Sequence, residues 1–189
     1  MSTNFNISEK YRKYVIGLQV KEAELYTVWG TDMEASEEDK LLVDNGRLLV
    51  FQNLNTLKLH LKTGTHPYLD KENFEKWIFE EDLNQVYNTN DFQLLDNFVV
   101  TFLEKEETAL SVLNCLNLIQ DFFIQLNEND IDELYENDCI VQLKDFIYNK
   151  YFWKSRPGNL SYMAISVEDV KDVVKRITDI FYSKFELVI

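Results

Sequence analysis

The chain has 189 residues, 46% of them hydrophobic and 14% aromatic, with 5 glycines and 2 prolines, a composition that excludes collagen-like, low-complexity and mostly disordered classes. No Gly/Ser/Pro-rich linker divides it, so the expectation is one globular domain over residues 1–189. Charge is the outlying quantity: 19 Lys and Arg against 33 Asp and Glu give a net −14, which weighs against nucleic acid, since binding a polyanion draws on cationic side chains.

In chain order, Tyr11 to Val20 and Leu25 to Trp29 carry β-branched and aromatic residues on either side of Lys21-Glu22-Ala23-Glu24 and predict two neighbouring strands. Leu41 to Val43 and Leu48 to Phe51 flank Asp44-Asn45-Gly46, and Asn-Gly tolerates the positive φ of a tight hairpin. Residues 53–63 fit either a strand (Leu57, Leu59, Leu61) or a helix (Leu54, Leu57, Leu61). A helix capped by Asn53 or Asn55 and stopped by Gly64 at C′ and Pro67 is preferred. From Phe92 onward the apolar period is helical: Phe92, Leu95, Phe98, Val99, Phe102 and Leu103, then Leu110, Leu113, Leu116 and Ile119. One further helix is expected over Asp132 to Tyr148, a loop at Arg156-Pro157-Gly158-Asn159 and a short strand at Tyr162 to Ile165. Ser166 with Asp169 starts the last helix, whose stripe is Val167, Val170, Val173, Val174, Ile177, Ile180 and Phe181. Strands followed by helices predict an α+β fold, an N-terminal antiparallel β-meander followed by a helical C-terminal half.

Met1 to Asn6 shows no basic region leading into an apolar run. The densest apolar stretch, Ala109 to Leu126, is interrupted by Asn114, Asn117, Gln120 and Asp121. The expectation is a cytoplasmic protein with no signal peptide and no membrane span. Cys115 and Cys139, lacking CxxC spacing, are expected as buried reduced thiols.

Nucleotide-loop, zincin and nucleophile-elbow motifs are absent, and with His60 and His66 as the only histidines a histidine-based triad has little material. Both are expected to face solvent, and no metal or cofactor is expected. Glu38-Asp39-Lys40 with Asp32 upstream matches the ExK fragment of metal-dependent nucleases, where two acids hold Mg²⁺ and a lysine lies near the attacking water. Its run, Glu34 to Asp39, reads as a solvated loop, and a nuclease or hydrolase using Asp32, Glu38 and Lys40 remains an alternative to a non-enzymatic role. Asn127 to Asp132 fails as an EF-hand for want of the turn glycine.

Three further features bear on binding, and the first two supply the candidate interface. Glu128, Asp130, Asp132, Glu133, Glu136 and Asp138 form an acidic segment without an intervening base, either a solvated face or a surface for a cationic partner. Asn114, Asn117 and Asp121, with Gln125, form a polar stripe at helical spacing. Phe146, Tyr148, Tyr151, Phe152 and Trp153, interleaved with Lys144, Lys150, Lys154 and Arg156, read as core aromatics beside a basic helix end rather than a single-strand nucleic-acid platform.

Two segments, Gly46-Arg47-Leu48-Leu49-Val50-Phe51-Gln52-Asn53-Leu54 after an N-terminal sheet and Val112-Leu113-Asn114-Cys115-Leu116-Asn117-Leu118-Ile119-Gln120-Asp121-Phe122, carry a resemblance. Over residues 45–126 the chain resembles small acidic immunity proteins of bacterial polymorphic-toxin and contact-dependent-inhibition systems. The resemblance implies a cytoplasmic inhibitor without catalytic residues, acting by binding a cognate toxin that is often a basic nuclease. An acidic assembly or adaptor protein, as a homodimer or larger homo-oligomer, is the other binding-class alternative.

Overall fold

The computed structural model describes residues 4–64, 66–128, 131–153 and 166–189. The fold is α+β, with most strand early and most helix late. The chain divides into two compact units, Met1–Asn90 with Lys184–Ile189, and Asp91–Ser183. A strand crosses the first boundary and a helix runs almost directly into a strand at the second, so composition has no linker stretch to reveal.

In the first unit, α1 (Asn4–Tyr11) precedes β1 (Lys13–Val20) and β2 (Ala23–Asp32), paired antiparallel from Lys13↔Gly30 to Val20↔Ala23. That register leaves Lys21-Glu22 as a two-residue turn with Lys21 at φ 52°, the left-handed conformation that hairpin turns use. β3 (Glu38–Leu41) then returns along β2. β4 (Val43–Asp44) and β5 (Arg47–Phe51) close around Asn45 at φ 49° and Gly46 at φ 74°, as the Asn-Gly pair predicts. One expectation is corrected here. Glu38-Asp39-Lys40 is strand, not solvated loop, because all three residues pair with β2, and the turn is confined to residues 33–37.

Residues 54–63 are helical, as preferred: in α2 (Leu54–Thr63) the Asn53 side chain accepts from the Thr56 amide at 2.9 Å, and Leu57 and Leu61 are buried. Gly64 ends the helix in an extended conformation (φ −89°) rather than the left-handed one. A Cβ there would stand 2.7 Å from His60 Nε2 and 2.8 Å from its carbonyl oxygen, so glycine serves a close approach. α3 (Lys71–Glu80) follows, then β6 (Asn88–Asp91), and from the far end of the chain β7 (Phe185–Val188). The sheet order is β4-β5-β2-β1-β6, with β3 also on β2 and β7 parallel to β5 from Leu48↔Phe185 to Phe51↔Val188. The expected meander is therefore the centre of a larger mixed sheet. Val15, Val28, Leu49 and Phe51 of the sheet bury against Leu57, Leu61, Phe74 and Trp77 of α2 and α3.

The second unit is helical: α4 (Gln93–Asp96), a 3₁₀ turn (Val100–Glu104), α5 (Glu106–Leu126), α6 (Asp132–Tyr135), α7 (Asp138–Ile147), a π-helical turn (Tyr148–Phe152) and α8 (Val167–Ser183). The helical period from Phe92 to Leu103 is split, since Asn97 ends α4 before the 3₁₀ turn. The single helix expected over Asp132–Tyr148 is also two. Asn137 leaves the helical conformation and its side chain caps α7 by accepting from the Cys139 amide at 2.9 Å. α5 ends on Asn127 in the left-handed conformation (φ 52°), its amide donating back to Ile124 and Phe123. By length and composition alone α5 is apolar enough to cross a membrane, and half of that stretch is buried inside the fold. α8 forms as expected, with the Asp169 amide donating to Ser166 Oγ at 3.4 Å and Val170, Val173, Val174, Ile177 and Phe181 buried. The loop expected at Arg156 to Asn159 and the strand at Tyr162 to Ile165 lie outside the described residues.

Candidate functional site

In the first unit, Asp32 ends β2 fully buried, and its two oxygens are saturated. Oδ2 accepts from Lys40 Nζ and the Leu69 amide, both at 2.7 Å; Oδ1 accepts from the amides of Glu34 at 3.2 Å and Asp70 at 3.3 Å. Four donors fill a carboxylate's usual capacity. Burial alone would raise the pKa of Asp32, but the Leu69 amide, Lys40 and the Glu34 amide together outweigh it and hold the carboxyl below its ordinary range. Glu38 stands opposite Asp32 in the sheet and is exposed. Asp32 and Lys40 thus meet as an internal ion pair, with no lone pair of Asp32 left for a metal.

A second buried pair, which the sequence reading missed, adjoins the first. Lys13 on β1, with no exposed surface, contacts Asp70 Oδ2 at 2.8 Å and also donates to the Thr31 carbonyl. Its ammonium lies 4.8 Å from the centre of the Tyr68 ring. Asp70 Oδ2 further accepts from the Met33 amide at 3.1 Å and Asn73 Nδ2 at 3.0 Å, while Oδ1 has no partner among the described residues. Desolvation lowers the Lys13 ammonium's affinity for its proton, against the pull of Asp70. The space Lys13 needs comes from its β2 partner Gly30, where a Cβ would stand 2.7 Å from Lys13 Cδ and 2.5 Å from the Arg12 carbonyl. Two carboxylates and two ammonium groups therefore bolt the 33–37 turn and the residues before α3 to the sheet. The sequence signal was faint: a lysine opening an apolar strand whose two faces are both buried.

The histidines are half-buried rather than exposed. His66, ahead of α3, stacks on Phe74 with ring centres 4.1 Å apart, and His60, on α2, lies with its ring centre 5.2 Å from that of Phe51. Burial, with Lys71 nearby, lowers the basicity of His66. Among the described residues no three His, Cys, Asp or Glu side chains gather as metal ligands. Both cysteines are free; Cys115 is buried and Cys139 half-buried, on a helix rim rather than in the core.

In the second unit the polar stripe of α5 is partly engaged within the fold. Asn114 is exposed, Asn117 is half-buried with its amide 3.4 Å from the Tyr148 hydroxyl, and Asp121 is half-buried on the side that faces Lys144. Asp132, Glu133, Glu136 and Asp138 are exposed at the α6–α7 corner and Glu128 is half-buried; Asp130 lies outside the described residues. Of the aromatic group, Phe146, Tyr148 and Tyr151 are half-buried, whereas Phe152 and Trp153 are 57% and 53% exposed and so are not core residues, because the π turn swings them outward. Lys154 and Arg156 lie outside the described residues.

No family model matches the chain, and no curated protein matches it. The fold is similar to that of the SatS C-terminal domain. That domain's crystal structure, in complex with bromine, aligns with a TM-score of 0.71 over 99% of this chain and 98% of the other, at 14% identity. At that identity the SatS likeness is one of fold alone.

Proposed function

We propose that the chain is a cytoplasmic binding protein without enzymatic activity, an immunity-type inhibitor that neutralises a cognate basic toxin through an acidic surface. The observation that carries this reading is the exposure of Asp132, Glu133, Glu136 and Asp138 together at the α6–α7 corner of a chain with net charge −14. An acidic surface attracts a basic partner over distance and raises association rates by about 10 to 10³ at low salt. Rapid capture is what neutralising a toxin requires. The saturation of Asp32 supports binding over catalysis, since a carboxylate with four donors has nothing left to offer a catalytic metal. Self-assembly is opposed by the repulsion between two copies of so acidic a chain.

The test is to express the product of the neighbouring coding region and follow its association with this chain. Association should slow several-fold on raising salt, and again with Glu133→Lys and Glu136→Lys together, while dissociation changes little. Rates indifferent to both perturbations would overturn the proposal, as would metal-dependent nuclease activity abolished by Glu38→Gln.

A further inference from the structure

Between Ile131 and Trp153 the sequence has two bases, Lys144 and Lys150. Both are turned into the fold. Lys144 Nζ donates to Gln120 Oε1 at 2.7 Å and lies 5.5 Å from the centre of the Tyr135 ring, and Lys150 Nζ donates to the Leu103 carbonyl at 2.8 Å. The outward face of α7 carries Asp138 and Asp145, both exposed and two helical turns apart, as its charged groups, with exposed Val141 and Gln142 between them, and the π turn continues it into Phe152 and Trp153. The aromatic pair is supported from beneath: the Tyr148 ring lies 5.4 Å from Phe152 and stacks at 5.5 Å on Trp153.

We infer that this face of α7 is the docking surface for an arginine-bearing region of a basic protein. The occupant follows from chemistry. A guanidinium is planar and weakly hydrated, stacks on indole and phenyl faces, and pairs with carboxylates, whereas an ammonium keeps its water and gains less from the rings. Carboxylates along the helix with two exposed aromatics at its end, and no base among the described residues of that face, complement arginine in both respects. A second copy of this chain meets the same face with like charge. The inference rests on the basic-partner reading above and names where that partner lands.

The experiment titrates the full chain, isotope-labelled for amide and indole NMR, with decaarginine and with decalysine peptides at low salt and at about 0.15 M. Saturable shifts are expected at Asp138, Asp145 and the Trp153 indole, with decaarginine binding more tightly than decalysine. Trp153→Ala should weaken decaarginine about two- to fivefold and decalysine less, and Asp138→Lys with Asp145→Lys should weaken both. The wild-type shift map requires no variant to fold. Shifts confined to the Glu34–Asp39 acids, or equal affinity for the two peptides unaffected by Trp153→Ala, would overturn this inference and leave the basic-partner reading standing. No binding of either peptide at low salt would overturn both.

Discussion

Replacing Lys13 by Met keeps the length of the side chain and removes its charge, leaving Asp70 buried with the Met33 amide and Asn73 as its remaining donors. A charge-assisted hydrogen bond contributes about 1.5 to 3 kcal/mol, and a carboxylate stranded at 2% exposure adds a desolvation penalty. Together these place the loss at about 3 to 5 kcal/mol, the usual cost of breaking a buried pair from one side. Adding Asp70→Asn removes the stranded charge while keeping an acceptor for the Met33 amide, so the double variant should recover about half of that loss or more. Urea unfolding followed by tryptophan fluorescence measures this in a Trp153→Phe background, where the remaining Trp29 and Trp77 both belong to the first unit. A single-variant loss below about 1 kcal/mol, or a double variant no more stable than Lys13→Met, would refute the argument that the pair is a buried, mutually compensating brace.

Gly30→Ala should cost about 1 to 3 kcal/mol, because its methyl would stand 2.5 Å from the Arg12 carbonyl and 2.7 Å from Lys13 Cδ; an unchanged thermal midpoint would contradict it. Asp32 has a folded-state pKa below the ordinary 3.8, so its stabilisation is complete above that value and is lost as pH falls through the folded one. Urea midpoints should accordingly fall below about pH 4 in the wild type and fall less steeply in Asp32→Asn, and identical slopes would count against the assignment. Ser166→Ala should cost about 1 kcal/mol through loss of the cap on the Asp169 amide, read from hydrogen exchange in the first turn of α8.

What the sequence determined by itself is what residues a few positions apart decide between them. Asn45-Gly46 makes its turn because both residues accept positive φ, Asn53 and Ser166 cap helices from within the same turn, and the α8 stripe repeats with the helical period. The acidic corner was legible for the same reason, since consecutive exposed acids need no partner to remain charged. Tertiary structure decided the rest. β7 joins β5 through Leu48↔Phe185, and Asp32 reaches Leu69 and Asp70, pairings whose loop-closure cost and packing gain leave no local trace. Glu38-Asp39-Lys40 shows the difference most directly. Its composition reads as a solvated loop, but pairing with β2 makes it a strand, and Asp32 turns Lys40 from the lysine of an ExK fragment into one half of an internal ion pair. Lys150 likewise reads as a surface charge until the Leu103 carbonyl draws it inward and leaves the outward face of α7 acidic. A side chain's direction is set by its nearest partners in space, and those partners come from elsewhere in the chain.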